Sequence, residues 1–190
     1  MNGHFKMFNY IMKNMDKPLS EDLINLSGRK FHAKRNHISK FKNCYPDYRF
    51  EEITNSNKED AYKVMLDWCA ENEIDIEHYE EKNAIREALD NIEEFKMYGG
   101  IVYVKDKAVA MTLGCEISPI AFDICFEKAL REYDGIYAVI NNEFAKTLSS
   151  YKYINREEDM GIEGLKKSKL SYNPIILIAR YNATLKDDGN

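Results

Sequence analysis

The stretch from Tyr151 to Tyr181, YKYINREEDMGIEGLKKSKLSYNPIILIARY, constrains this chain more than any other. Tyr151 to Asn155 is short and aromatic, as strands are. Four consecutive charges follow, Arg156, Glu157, Glu158 and Asp159. Gly161 to Ser171 reads as a helix with Ile162, Leu165 and Leu170 as its apolar positions. Asn173-Pro174 stops it, because proline keeps the preceding residue out of the helical region. Pro174 to Tyr181 is apolar enough for a buried strand. The stretch is therefore strand, charged turn, helix, strand. A charged turn that ends a strand and faces a helix start is where α/β proteins place ligands.

Within that turn, Asn155, Arg156, Glu157, Glu158 and Asp159 form the best polar constellation in the sequence. An arginine there can grip a carboxylate or phosphate with paired N–H groups. A Glu or Asp can accept a proton from an attacking amine. The plain alternative is a solvated turn in which Glu158 or Asp159 caps the next helix. Gly164 inside that helix costs about 1 kcal/mol relative to alanine, which implies close packing or a ligand near the backbone.

Upstream, the order of elements narrows the fold. Met1 to Lys17 reads as a short helix or as an arm docked elsewhere. Ser20-Glu21-Asp22 starts a helix whose apolar stripe runs from Leu23 through Phe41 to Tyr45, with Gly28 as a break. Phe50 to Thr54 reads as a strand. Asn55 or Ser56 caps a helix to about Asn72 with Ala61, Val64, Met65, Trp68 and Cys69 on one face. A helix from about Glu80 to Lys96 is broken by Gly99-Gly100. Two strands, Ile101–Lys105 and Ala108–Ile117, turn at Asp106-Lys107. Gly114 marks a bulge or a close backbone approach. Another strand lies within Pro119 to Ala129, and Asp134-Gly135 opens a helix to about Ser149. The sum is a mixed sheet with helices against it, α/β or α+β.

Charge is unevenly spread. Arg29, Lys30, Lys34, Arg35, Lys40 and Lys42 fall in one window without an Asp or Glu, in a chain of net charge −5. That helix face suits an anionic partner, and equally a solvated surface. The four cysteines are scattered, with no CxxC pair, so neither a zinc framework nor a disulfide scaffold is expected. His32 and His37 lack accompanying ligands, and no metal is assigned. No apolar run approaches the roughly 20 residues of a membrane span. The expected location is the cytoplasm.

LSGRKFHAKRNHISKF (Leu26 to Phe41) paired with YINREEDMGIEGLKKSKLSYNP (Tyr153 to Pro174) resembles the phosphatidylglycerol lysyltransferase C-terminal domain family, and its cytoplasmic branch more than the membrane-anchored lysyltransferases. The resemblance covers about residues 19–181 and implies a GNAT-like fold. The expected sheet is mainly antiparallel, with residues 1–45 as arm and basic helix, 46–185 as one GNAT-like domain and 186–190 as a disordered tail. It implies transfer of an acyl or aminoacyl group, with aminoacyl-tRNA or acyl-CoA as co-substrate and no tightly bound cofactor. Glu116 or Glu157 would be the base and Arg156 the anchor. Arg29, Lys30, Lys34 and Arg35 would hold the phosphates of tRNA or CoA, joined by Asn155, Asp159 and Lys169 in substrate binding. The alternative is a non-catalytic lobe that binds an anion, a second GNAT-like lobe or its own copy as a homodimer. Two departures stand out. The chain begins just before the helix that links the two lobes of many members. The donor loop, Arg131-Glu132-Tyr133-Asp134-Gly135-Ile136, has a single glycine where GNAT enzymes have several.

Overall fold

The computed structural model describes residues 7–13 and 22–180. The expected helix start at Ser20-Glu21 and the tail at 186–190 lie outside these residues. Asp22 sits in the bend that leads into a turn, and the first helix begins only after Gly28. The chain runs β1 (Met7–Lys13), α1 (His32–Cys44), β2 (Arg49–Glu52), α2 (Lys58–Glu71), α3 (Glu81–Asp90), β3 (Met97–Val104), β4 (Lys107–Ser118), β5 (Ala121–Ala129), α4 (Ile136–Thr147), β6 (Tyr153–Asn155), α5 (Glu163–Leu170) and β7 (Ile176–Arg180).

The sheet order is β2-β3-β4-β5-β6-β1-β7. Every pairing given for it is antiparallel except β5 with β6. Side chains alternate across β3. Ile101 and Tyr103 pack with Val64, Met65, Ile85 and Leu89 of α2 and α3. Val102 and Val104 pack with Phe41 of α1 and Val139 and Ile140 of α4. Helices thus cover both faces of the sheet. The N-terminal arm, expected as helix or docked segment, is a strand: Ile11 pairs with Asn155 and Met7 with Arg180.

Three expectations are corrected. Gly99 and Gly100 do not break a helix; they lie inside β3, and the helix ends at Asp90. A Cβ on Gly99 would sit 2.6 Å from both Ile53 Cδ1 and the Thr112 carbonyl, and one on Gly100 would enter the Phe50 ring. Glycine is there for packing, not for a turn. Gly164 has nothing within 4 Å of its Cβ position, so close packing does not explain it. The last strand is not buried: Ile176 and Leu177 are 42% and 47% exposed on an edge of the described sheet. The bulge at Gly114 is present, with a register shift between Leu113 and Gly114. A Cβ there would collide with the Asp123 carbonyl. The hairpin turn falls one residue earlier than expected, at Lys105-Asp106, with Lys105 in the left-handed region at φ 56°.

Candidate active site at the branch of two parallel strands

β5 and β6 run together from Ala121↔Tyr153 to Asp123↔Asn155. There β6 ends, while β5 continues to Ala129. Among the described residues, β5 beyond Asp123 has no strand partner on that side, so the sheet opens there. The charged turn leaves at the fork. It is not a solvated turn: Asn155, Arg156 and Asp159 are 7%, 8% and 3% exposed. Glu157, Met160 and Gly161 take left-handed φ values of 52°, 49° and 73°. Asp159 Oδ1 accepts from the Gly161 N–H at 3.0 Å, while the N-cap of α5 is Ile162, so Asp159 shapes the loop and does not cap the helix. Lys169 reaches back from α5 and donates to the carbonyls of Arg156 and Glu158. These contacts hold a backbone that would otherwise be costly for non-glycine residues.

Two groups of side chains flank the fork. Phe122 of β5 packs on Phe144 of α4, so alternation turns Asp123 to the other face. There Asp123, Cys125 and Glu157 each bring one ligand atom within 4.8 Å of the others. Burial and the adjacent Glu157 carboxylate push Asp123 up to about 7, against the pull of Asn155 and Lys169. A neighbouring carboxylate disfavours the charged form of Asp123, which is why its proton is held more tightly. Asn155 Nδ2 donates to Asp123 Oδ1 at 2.7 Å and fixes its orientation. Burial raises the Cys125 thiol, which keeps it neutral and a poor nucleophile. These three ligand atoms also lie close enough together to hold a metal ion, a grouping hidden in the sequence because Glu157 comes from a different strand end.

On the α4 side, Arg156 Nη2 donates to Glu127 Oε1 at 2.9 Å, and Asn141 Nδ2 donates to Glu127 Oε2 at 2.6 Å. The Arg156 guanidinium lies 4.8 Å from the Tyr172 ring centroid. Lys34 Nζ, from α1, lies 3.9 Å from the same centroid. Burial and the nearby Arg156 push Lys34 down to about 8, and the same two causes bring Lys169 to about 8.

The expected basic face does not survive as one free surface. Lys30 pairs with Asp22 at 2.9 Å, Lys40 with Asp134 at 2.6 Å and Lys42 with Glu143 at 3.2 Å. Arg35 donates to the carbonyls of Leu26 and Gly28, tying down the loop before α1. Arg29 is exposed. Only Lys34 joins Arg156. Glu116 is also apart: it is exposed, pairs across the ladder with Phe122 and accepts from Tyr151 Oη at 2.7 Å. The structure gathers Glu157, Arg156, Asn155, Asp159, Lys169 and Lys34, and leaves Glu116, Arg29, Lys30 and Arg35 outside. Asp123 and Glu127 were missed. Their signal is two acids four apart in a mostly apolar strand, and the bulge between them puts them on opposite faces.

At the start of α4 the single loop glycine, Gly135, has φ 90°, and its Cβ position is filled by the His37 carbonyl of α1. A cleft of about 300 Å³ beside it is lined by Lys34, His37, Arg131, Tyr133, Asp134 and Tyr137. The close backbone approach that glycine allows is thus made by α1.

Mixed sheet, short parallel pair and flanking helices define a GNAT-like domain. Residues 19–184 match the family described as phosphatidylglycerol lysyltransferase, C-terminal, and the chain belongs to that family. A conserved protein of unknown function from Bacteroides thetaiotaomicron is similar at 42% identity with a TM-score of 0.82, over 91% of this chain and 57% of that one. L-PGS from Bacillus licheniformis shares the fold at 13% identity and a TM-score of 0.65, over 94% of this chain and 60% of that one. An uncharacterised protein of Mycoplasmoides gallisepticum is 24% identical over 164 residues, 85% of this chain and 53% of that protein. The chain therefore spans a little over half the length of these relatives. Among the described residues, no helix is long and apolar enough to cross a membrane.

Proposed function

We propose that this domain transfers an acyl or aminoacyl group from acyl-CoA or aminoacyl-tRNA to an amine or hydroxyl acceptor. The observation that carries the reading is the carboxylate pair Asp123–Glu157 at the fork of β5 and β6, with Asp123 at about 7. A group that ionises near neutral pH is suited to take the proton that an ammonium or hydroxyl nucleophile sheds on attack. The cleft at the start of α4, with Lys34 and Arg131, gives a phosphate-bearing donor cations and a helix N-terminus. Acceptor and donor then meet across the opened edge of β5, where orientation supplies much of the rate.

A second reading is a GNAT-like lobe that binds an anionic ligand or a partner chain without catalysis. Two observations favour it: α1 fills the space at Gly135 that a pyrophosphate would need, and Ile175, Ile176 and Leu177 are exposed together. A single-turnover assay separates the readings. The protein is incubated with labelled acetyl-CoA, or with a labelled aminoacyl-tRNA pool, and a panel of small amines and alcohols. Transfer from one donor, lost in Glu157→Gln, supports the transferase. No transfer from either donor leaves the binding lobe.

A further inference from the structure

Arg156 is 8% exposed, and its Nη2 is bonded to Glu127, yet its Nε and Nη1 have no hydrogen-bond partner among the described residues. Buried arginine N–H groups are nearly always satisfied, because leaving them dry costs their full desolvation. Lys34 presents a second cation to the same Tyr172 ring, 3.9 Å from its centroid against 4.8 Å for Arg156. Two like charges around one buried ring repel in a low dielectric, and nothing in apolar packing calls for that arrangement.

The nearby acids do not neutralise both cations. Glu127 is held by Arg156 and Asn141. Asp159 and Glu157 act on Lys169, which is also fixed to two backbone carbonyls. Among the described residues, the acid that acts on Lys34 is Glu127, which Arg156 already occupies. At the Tyr172 ring itself two cations therefore share one carboxylate, a local excess of one positive charge, and the planar guanidinium has unused donors. Lys34, beside that ring, also lines the open cleft next to α4.

We infer that Arg156, Lys34 and Tyr172 form a binding pocket for the carboxylate of a small organic ligand. A carboxylate brings one charge, matching the excess, and two oxygens for the arginine N–H groups and the lysine ammonium. A phosphate brings closer to two charges. The organic part of the ligand extends into the cleft past Lys34. This pocket depends on no step of the transfer reaction, and its occupancy can be read without turnover.

The test is thermal unfolding of the full chain with acetate, benzoate and N-acetylglycine, each against its neutral amide, at ionic strength matched with chloride. Inorganic phosphate is run in parallel. At least one carboxylate should raise the midpoint by several degrees at saturation, while its amide leaves it unchanged. Lys34→Met should lose that response and leave the unliganded midpoint unchanged or higher, because the variant removes a repelled charge and keeps the packing. Arg156→Lys should weaken the response at least tenfold. No carboxylate response, or an equal response to the amides, overturns the proposal. A phosphate response as large as the best carboxylate's assigns the pocket to phosphate and overturns it as well. A Lys34→Met protein that is destabilised yet still responds makes Lys34 structural and removes it from the pocket. A carboxylate response in a protein that transfers nothing would sink the transferase reading and leave this one standing.

Discussion

Asp123 carries the sharpest consequence at the scale of the residue. In the unfolded chain its carboxyl loses its proton at about pH 4, but in the fold it keeps it to about 7 because of burial and Glu157. A group raised in this way contributes stability that is complete below pH 4 and is lost as pH climbs through 7. Asp123→Asn should therefore be more stable than the parent at pH 8 and equal to it near pH 4. Unfolding midpoints across that range check it; a variant less stable at pH 8 would mean that the carboxylate is held by contacts stronger than its repulsion. Lys34 and Lys169 act in the other sense, since a lysine pushed down to about 8 adds stability as pH rises from there toward its unfolded value. Asp123 stood unmarked in the sequence because its chemistry arises from Glu157, which another element delivers through a left-handed turn. Arg156 and Glu157 were legible, since four charges at a strand end are conspicuous even before their burial is known.

The glycines separate what a sequence pattern reveals from what it hides at the scale of the element. Gly114 interrupts a strand pattern, and the interruption is a real bulge. Gly114→Ala should destabilise by several kcal/mol, because the neighbour it meets is the Asp123 carbonyl, part of the backbone. A loss under 1 kcal/mol in chemical denaturation would show that the β4–β5 hairpin can relax around a methyl group. Gly164 behaves oppositely. Its Cβ position is open, and Gly164→Ala should stabilise α5 by up to about 1 kcal/mol. A destabilised Gly164→Ala protein would contradict the open space seen there. Gly99 and Gly100 misled because two glycines read as a break, while in β3 they admit Ile53 and Phe50 against the sheet. The α2 stripe was legible from periodicity alone: Ala61, Val64, Met65 and Cys69 are buried. Trp68 is the exception, turned so that its Nε1 donates to Tyr137 Oη at 3.1 Å. The last strand misled because its apolar run matches a buried strand, whereas its place at the edge follows from β1 inserting before it, a pairing that composition does not encode.

For the molecule as a whole, one fold brings three cations and four acids to the end of a short parallel strand pair. The basic helix was legible as charge, but its purpose was not. Lys30, Lys40 and Lys42 bind acids of this same chain, and only Lys34 is turned to the fork. In the proposed transfer, the carboxylate pair at the fork takes the acceptor's proton. The most direct measurement is the pH dependence of kcat/KM for acyl transfer from whichever donor is used, in the parent and in Asp123→Asn. The rate should rise tenfold per pH unit below 7, level above it and fall at least a hundredfold in Asp123→Asn at pH 8. A rate that is flat from pH 5 to 9, or an Asp123→Asn protein with the parent's turnover, would contradict it.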